Sequence, residues 1–187
     1  MTDLPVAVRR PARADARRNF DALLVAARET FAVDGADASL EEIARRAGVG
    51  IGTLYRNFPT RKDLFETVYV DEVNQLGVVA AAVAGLPPWE ALRTWLDRFA
   101  GYIVTKRAVI DALNRESELF QSCRRSMYQA GEPLLDRARE AGEVRADASF
   151  DDVIRLISGL MSAAFVDEDQ RNRVLDFALD GIRNRPR

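Results

Sequence analysis

The run SLEEIARRAGVGIGTLYRNFPTRKDLF, residues 39–65, constrains the fold more than any other part of the chain. Ser39 stands just before an apolar stripe of Leu40, Ile43, Ala44 and Ala47, and Glu42 follows it by three positions. This is the capping-box pattern that opens a helix. Gly48 ends that helix, because it supplies backbone dihedrals that other residues avoid. A second, very short segment carries Val49, Leu54 and Phe58 and stops at Pro59. Thr60 and Asp63 then cap a longer helix running to about Ala84. Two short helices with only three or four residues between them must cross steeply, which is the helix-turn-helix arrangement. Ala44 allows the close approach, and Ile43, Ala47, Val49 and Leu54 fill the small shared core.

Helical spacing continues on both sides. Phe20, Leu23, Leu24, Ala27 and Phe31 define a helix from about Asp15 to Asp34, ended by Gly35. Gly85, Pro87 and Pro88 form the clearest break, and a helix from Pro88 to about Thr105 carries Trp95, Leu96, Phe99, Tyr102 and Ile103 on one side. A short helix near 108–113 follows, then a longer one from about 116 to 141 that Pro133 is expected to bend or interrupt. Gly142 closes that region. Two amphipathic helices, about 150–166 and 170–184, complete the chain. Strand-type alternation and internal repeats are absent. The expected fold is all-α with about nine helices: a flexible basic arm (1–14), a three-helix helix-turn-helix domain (15–59) and a helical domain (60–187) whose first helix, 60–84, is the connection.

Composition narrows the chemistry. The chain of 187 residues is 48% hydrophobic and 30% charged with a net charge of −2, which suits a well-cored globular protein. The charge is uneven: residues 1–20 hold Arg9, Arg10, Arg13, Arg17 and Arg18 against Asp3 and Asp15. A basic end on an acidic body is compatible with one face meeting nucleic acid, through phosphates or the minor groove. There is no histidine, so the usual general base and commonest metal ligand are missing. One cysteine, Cys123, makes neither a disulfide nor a zinc site and is read as inert, although Arg124 and Arg125 flank it. Glu116 and Glu118 alternate on a helix and so point apart, which disfavours acid–base catalysis. No cofactor site is visible and no enzyme is expected. Neither a membrane-length apolar run nor a signal peptide is recognisable, so a cytoplasmic location is expected.

The second helix of the pair is the chemically informative element. Its N-terminal residues can enter a major groove while Leu54 and Phe58 anchor it from behind. Thr53 and Tyr55 carry hydroxyls that donate to phosphate, and the Arg56 fork matches guanine O6 and N7.

The run closely resembles the DNA-binding domain of the TetR family of transcriptional regulators. The residues that carry the resemblance are the Leu40, Ile43, Ala44 stripe, Ala47–Gly48–Val49, Gly52–Thr53–Leu54–Tyr55, Phe58 and Asp63–Leu64–Phe65, within a match from Phe20 to Tyr69. The resemblance implies that Thr53, Tyr55 and Arg61 contact phosphates, that Gly52 permits close approach to DNA, and that Ser39 caps its helix and touches phosphate. Gly50, Ile51 and Asn57 depart from the usual pattern. Readout at residues 50 and 51 is therefore expected to be apolar or shape-based, Ile51 against a thymine methyl for instance. Arg45, Arg46 and Arg56 become the stronger candidates for polar contact.

For the C-terminal half the resemblance lies in helix number, length and order. It implies an effector pocket among Trp95, Phe99, Tyr102, Phe120, Met127, Tyr128 and Phe165. It also implies a homodimer interface on the last two helices, here Phe150, Val153, Ile154, Ile157, Gly159, Leu160, Met161, Ala164, Val174, Ala178 and Ile182. The expected function is a dimeric regulator, a repressor released from a palindromic operator by a small molecule. The alternatives are an effector-independent dimeric regulator or a helical small-molecule-binding protein without DNA binding.

Overall fold

The computed structural model describes residues 8, 10–109 and 117–184. Among them are eight α-helices: α1 (Ala14–Asp34), α2 (Leu40–Arg46), α3 (Ile51–Asn57), α4 (Arg61–Ala82), α5 (Pro88–Val109), α6 (Glu118–Glu140), α7 (Phe150–Met161) and α8 (Glu168–Ile182), with a 3-10 turn at Gly35–Asp37. The all-α expectation holds, and the only β-type pairing among the described residues is an isolated bridge between Val144 and Arg183. The short helix expected near 108–113 lies mostly outside the described residues, and α5 runs through to Val109.

The chain divides into two compact units. One comprises the described residues up to Asn74 and those within 105–123. The other comprises 75–104 and the described residues from Arg124 onward. In the first, Phe20, Leu23, Leu24, Ala27 and Phe31 are all buried along one face of α1. Phe20 packs on Phe58 with centroids 5.1 Å apart, and Phe31 on Phe65 at 4.6 Å. Each fully buried large side chain contributes about 1.5–3 kcal/mol, so this core holds even the seven-residue helices that would be unstable alone.

α2 ends in a complete Schellman motif. Gly48 adopts φ +67°, Val49 N–H donates to Ala44 C=O at 3.0 Å, and Gly48 N–H donates to Arg45 C=O at 3.1 Å. At the α2 N-terminus only half of the expected box forms. Ser39 Oγ accepts from Glu42 N–H at 3.3 Å, but the Glu42 carboxylate takes arginines instead. Thr60 and Asp63 do form the reciprocal pair that opens α4.

In the second unit α6 continues through Pro133, so the helix is not interrupted there. Pro133 and Gln129 are both exposed, so the carbonyl that loses its intrahelical donor belongs to an exposed residue, while buried Leu134, Leu135 and Ala138 hold the turn by packing. Arg137 closes α4, donating to the carbonyls of Ala84 and Leu86 at 2.6 and 2.7 Å. α7 opens with a capping box between Ser149 and Asp152. It ends at Met161 rather than near 166, and Asp167 caps α8 through Gln170 N–H at 2.7 Å.

Candidate nucleic-acid interface

α3 presents one face to the core and one outward. Leu54 and Phe58 are 0% and 1% exposed, while Gly50, Ile51, Gly52, Tyr55 and Arg56 are exposed and Thr53 and Asn57 half-buried. The side-chain spacing of a helix forces this division, because residues 54 and 58 lie one turn apart on the inner side. A Cβ built on Gly50 or Gly52 meets nothing within 4 Å, so both glycines leave bare backbone at the protein surface. Arg56 folds along its own helix, its Nε donating to Gly52 C=O at 3.2 Å and its Nη2 to Thr53 Oγ at 3.0 Å. Asn57 donates to Thr53 C=O at 2.8 Å.

The flanking residues are more engaged than the sequence implied. Ser39 Oγ donates to Glu41 Oε2 at 3.0 Å while serving as the cap. Arg61 is half-buried and donates to Ala38 C=O at 2.7 Å, tying the start of α4 to the loop before α2, with its guanidinium 5.8 Å from the Phe65 ring. Arg45 and Arg46 project from the end of α2, and both bond Glu42. These charged hydrogen bonds, Arg45 first and Arg46 second, hold the Glu42 carboxyl down to about 2.

The N-terminal arm is partly fixed. Arg10 Nη2 donates to Asp71 at 2.6 Å and Arg10 Nε to Asp21 at 2.9 Å, so this residue belongs to the folded unit rather than to a free basic tail. Asp71 also accepts from Arg28 at 2.9 Å, and Arg28 ion-pairs with buried Glu72. Sequence reasoning missed this cluster. Its trace was two adjacent acids inside the apolar run Val68-Tyr69-Val70-Asp71-Glu72-Val73, every member of which is buried.

The aromatic residues proposed for a pocket fall into separate settings. Trp95, Phe99 and Tyr102 are fully buried and packed ring on ring, Trp95 to Phe99 at 5.6 Å and Phe99 to Tyr102 at 5.7 Å. The Trp95 indole N–H donates to Leu76 C=O at 3.1 Å, so its polar handle is already used. Met127 is buried as well. Tyr128 lies edge-on to Phe150 and donates to Asp151 at 2.7 Å. Phe120 belongs to the other unit, where it stacks on Tyr69 at 5.4 Å beneath Lys106. Phe165 is half-buried in the α7–α8 connection. Cys123 is buried, and desolvation pushes its thiol up to about 12, the opposite of an activated cysteine.

The residues expected at a subunit interface divide between the interior of a single chain and its surface. Phe150, Val153, Ile154, Ile157, Met161 and Ile182 are 0–8% exposed within a single chain. They face the interior of their own unit because α7 and α8 must first cover that core. Ala164 lies beyond the end of α7 and is exposed. The outward apolar surface consists of Leu156, 44% exposed, and Phe177, 72% exposed, with exposed Gly159 and half-buried Leu160, Val174 and Ala178.

A helix-turn-helix with an uncovered second helix, joined to a larger helical unit, defines a DNA-binding regulator. The pattern of the family described as "Bacterial regulatory proteins, tetR family" matches residues 23–68, and that of "Transcriptional regulator SbtR-like, C-terminal domain" matches residues 87–184. The crystal structure of a TetR transcriptional regulator from Streptomyces coelicolor is 40% identical, with a TM-score of 0.76, covering 89% of this chain and 99% of that one. A TetR transcription regulatory protein from Mycobacterium vanbaalenii is 33% identical, with a TM-score of 0.69, covering 92% and 99%. The curated relative "HTH-type transcriptional activator FasR" of Mycolicibacterium smegmatis is 30% identical over 134 residues, 71% of this chain, and the match spans 58% of that protein's length. The chain belongs to the TetR family of DNA-binding transcriptional regulators. Among the described residues no helix is long and apolar enough to cross a membrane.

Proposed function

We propose that the protein acts as a homodimer in the cytoplasm and places two α3 helices in successive major grooves of a palindromic operator, about 34–36 Å apart or slightly more. Residues 15–59 form the DNA-binding domain, residues 1–14 its arm, and residues 60–187 the effector and dimerisation domain, with α4 as the connection. The observation that carries the reading is the division of α3: Leu54 and Phe58 are locked into the core while Gly50, Ile51, Gly52, Tyr55 and Arg56 are left uncovered. Thr53, Tyr55, Arg61 and Ser39 serve as phosphate contacts, joined by Arg45 and Arg46. Ile51, Arg56 and Asn57 face the base edges. A small-molecule effector held by the larger helical unit releases the operator, and by linkage DNA weakens effector binding by the same factor. The direction of control is repression. Activation is the second reading, favoured by the name of the FasR relative.

Selection of bound duplexes from a random pool tests the proposal. It predicts a two-fold symmetric consensus, and failure of a folded dimer to enrich any sequence at low ionic strength would sink it. A reporter promoter carrying that consensus then separates repression from activation.

Two variants probe the parts. Gly52→Ala is expected to leave the fold intact, since its Cβ meets nothing within 4 Å, and to gain up to about 1 kcal/mol of helix propensity. Against operator DNA the added methyl intrudes on a close backbone approach, at about 1–3 kcal/mol or roughly 5- to 150-fold in Kd. Unchanged DNA affinity would remove Gly52 from the interface. Phe177→Glu places a charge on the most exposed aromatic of α8 and is expected to yield a folded monomer in analytical ultracentrifugation. A variant that sediments like the wild-type dimer would move the interface elsewhere.

A further inference from the structure

We propose that Glu42 is an intramolecular phosphate mimic: it occupies the Nε/Nη2 fork of Arg45 and the Nε–H of Arg46 and so holds down the sequence-independent part of DNA affinity. This inference rests on α2 and α3 forming the DNA-binding surface.

The geometry is specific. Arg45 Nε donates to Glu42 Oε2 and Arg45 Nη2 to Glu42 Oε1, both at 2.7 Å, a bidentate fork of the kind a guanidinium makes with phosphate. Arg46 Nε donates to the same Oε1 at 2.7 Å. One carboxylate therefore holds two cations at once, and the three side chains present a net charge of +1 where the two arginines alone would present +2. The arginine side chains are 74% and 43% exposed, so each lies at the surface where a DNA backbone would reach it. Arg45 must give up its Nε/Nη2 fork, and Arg46 its Nε–H bond, before those same donors can grip a phosphate. Glu42 remains ionised throughout the neutral range, because its partners hold its carboxyl near 2. The competition is thus a fixed property of the surface and does not switch with physiological pH.

The helix itself explains why one residue reaches both partners. Positions 42, 45 and 46 are related by i+3 and i+4, which places them on adjacent rows of the same face. Such pairs are often only helix-stabilising decoration, and single exposed pairs are weak. Here the bidentate fork and the shared oxygen make a small network, and its two arginines stand in the last turn of α2, a few residues before α3 begins.

The probe is a scrambled-sequence duplex of about three helical turns, titrated by fluorescence anisotropy from low to moderate salt, with the selected operator alongside. Glu42→Gln preserves the side-chain volume and removes the charge. It is expected to bind the scrambled duplex about 3- to 30-fold more tightly. The slope of log K against log salt should steepen by up to about 1.8, the counterion equivalent of two freed phosphate contacts. The control is the same substitution in an Arg45→Gln/Arg46→Gln background, where the gain should vanish. A gain that persists there would mean simple repulsion between Glu42 and DNA and would overturn the mimic. Equal or weaker binding by Glu42→Gln, with a melting temperature close to wild type, would overturn it as well. Glu42→Ala, which removes the carboxylate without adding an amide, must give the same direction. Wild-type protein that binds neither duplex would instead refute the DNA-binding reading itself, so the two failures are distinguishable.

Discussion

Gly131→Ala is expected to destabilise the protein by about 2 kcal/mol and lower Tm by about 4–8 °C. Gly131 sits inside α6 and is buried, and a Cβ there would lie 2.4 Å from Trp95 Cη2, 2.7 Å from Trp95 Cζ2 and 2.5 Å from Phe150 Cζ. These are the rims of rigid rings, so relief requires whole side chains to move. Trp95 has little freedom to do so: it is 0% exposed, stacks on Phe99 with 5° between the planes, and donates its indole N–H to Leu76 C=O. Phe150 is wedged between Trp95 and Tyr128. Alanine gains up to about 1 kcal/mol over glycine in a helix, which offsets part of an overpacking cost near the top of the usual 1–3 kcal/mol. Thermal and urea denaturation measure the net. A partner substitution sharpens the result: Trp95→Phe removes the two offending indole atoms, so the double variant should lose less than the sum of the single losses. A Gly131→Ala protein as stable as wild type would mean that the rings around it yield, and that this contact is not what excludes a larger residue.

The second large effect is expected at Asp71. Asp71→Asn should cost about 3 kcal/mol in denaturant titrations, the lower end of the 3–5 kcal/mol seen when a fully buried ion pair is broken. The carboxylate is 5% exposed and accepts from two guanidiniums, one preceding α1 and one within it. An asparagine offers one carbonyl, so one arginine loses its acceptor, and each arginine loses one of its two carboxylate partners. The discount reflects the arginines, whose side chains are 38% and 30% exposed and regain some water. Arg10→Ala should cost less than Arg28→Ala, because Arg28 also pairs with buried Glu72. A loss under about 1 kcal/mol for Asp71→Asn would show that Asp71 is dispensable to the fold.

The helix-turn-helix was legible because its determinants are local. Ser39 caps Glu42 N–H three residues on, Thr60 pairs with Asp63, and Gly48 turns the chain between helices that end within a few positions of it. Each contact spans three to five residues, so the residue spacing nearly is the geometry. The same holds for α1, whose stripe from Phe20 to Phe31 is buried as its period requires. The departures arise where spacing leaves a choice. Glu42 has the spacing to complete a capping box and the spacing to reach Arg45 and Arg46, and two charged partners win over one backbone N–H. Pro133 has the chemistry to break a helix, yet it falls on the exposed side, where the released carbonyl is not sealed in the core.

Amino-acid order alone determined the all-α class, the capped helix pair and the chemistry of its outward face, since these follow from period, caps and turn residues. Tertiary structure decided which side of α7 and α8 is core, where Arg10 docks, and why residue 131 has no side chain. Those outcomes join residues far apart in the chain, 61 positions for Arg10 and Asp71 and 43 for Arg28 and Asp71. An amphipathic pattern says that a helix has a face to bury, but only the packed neighbours say against what.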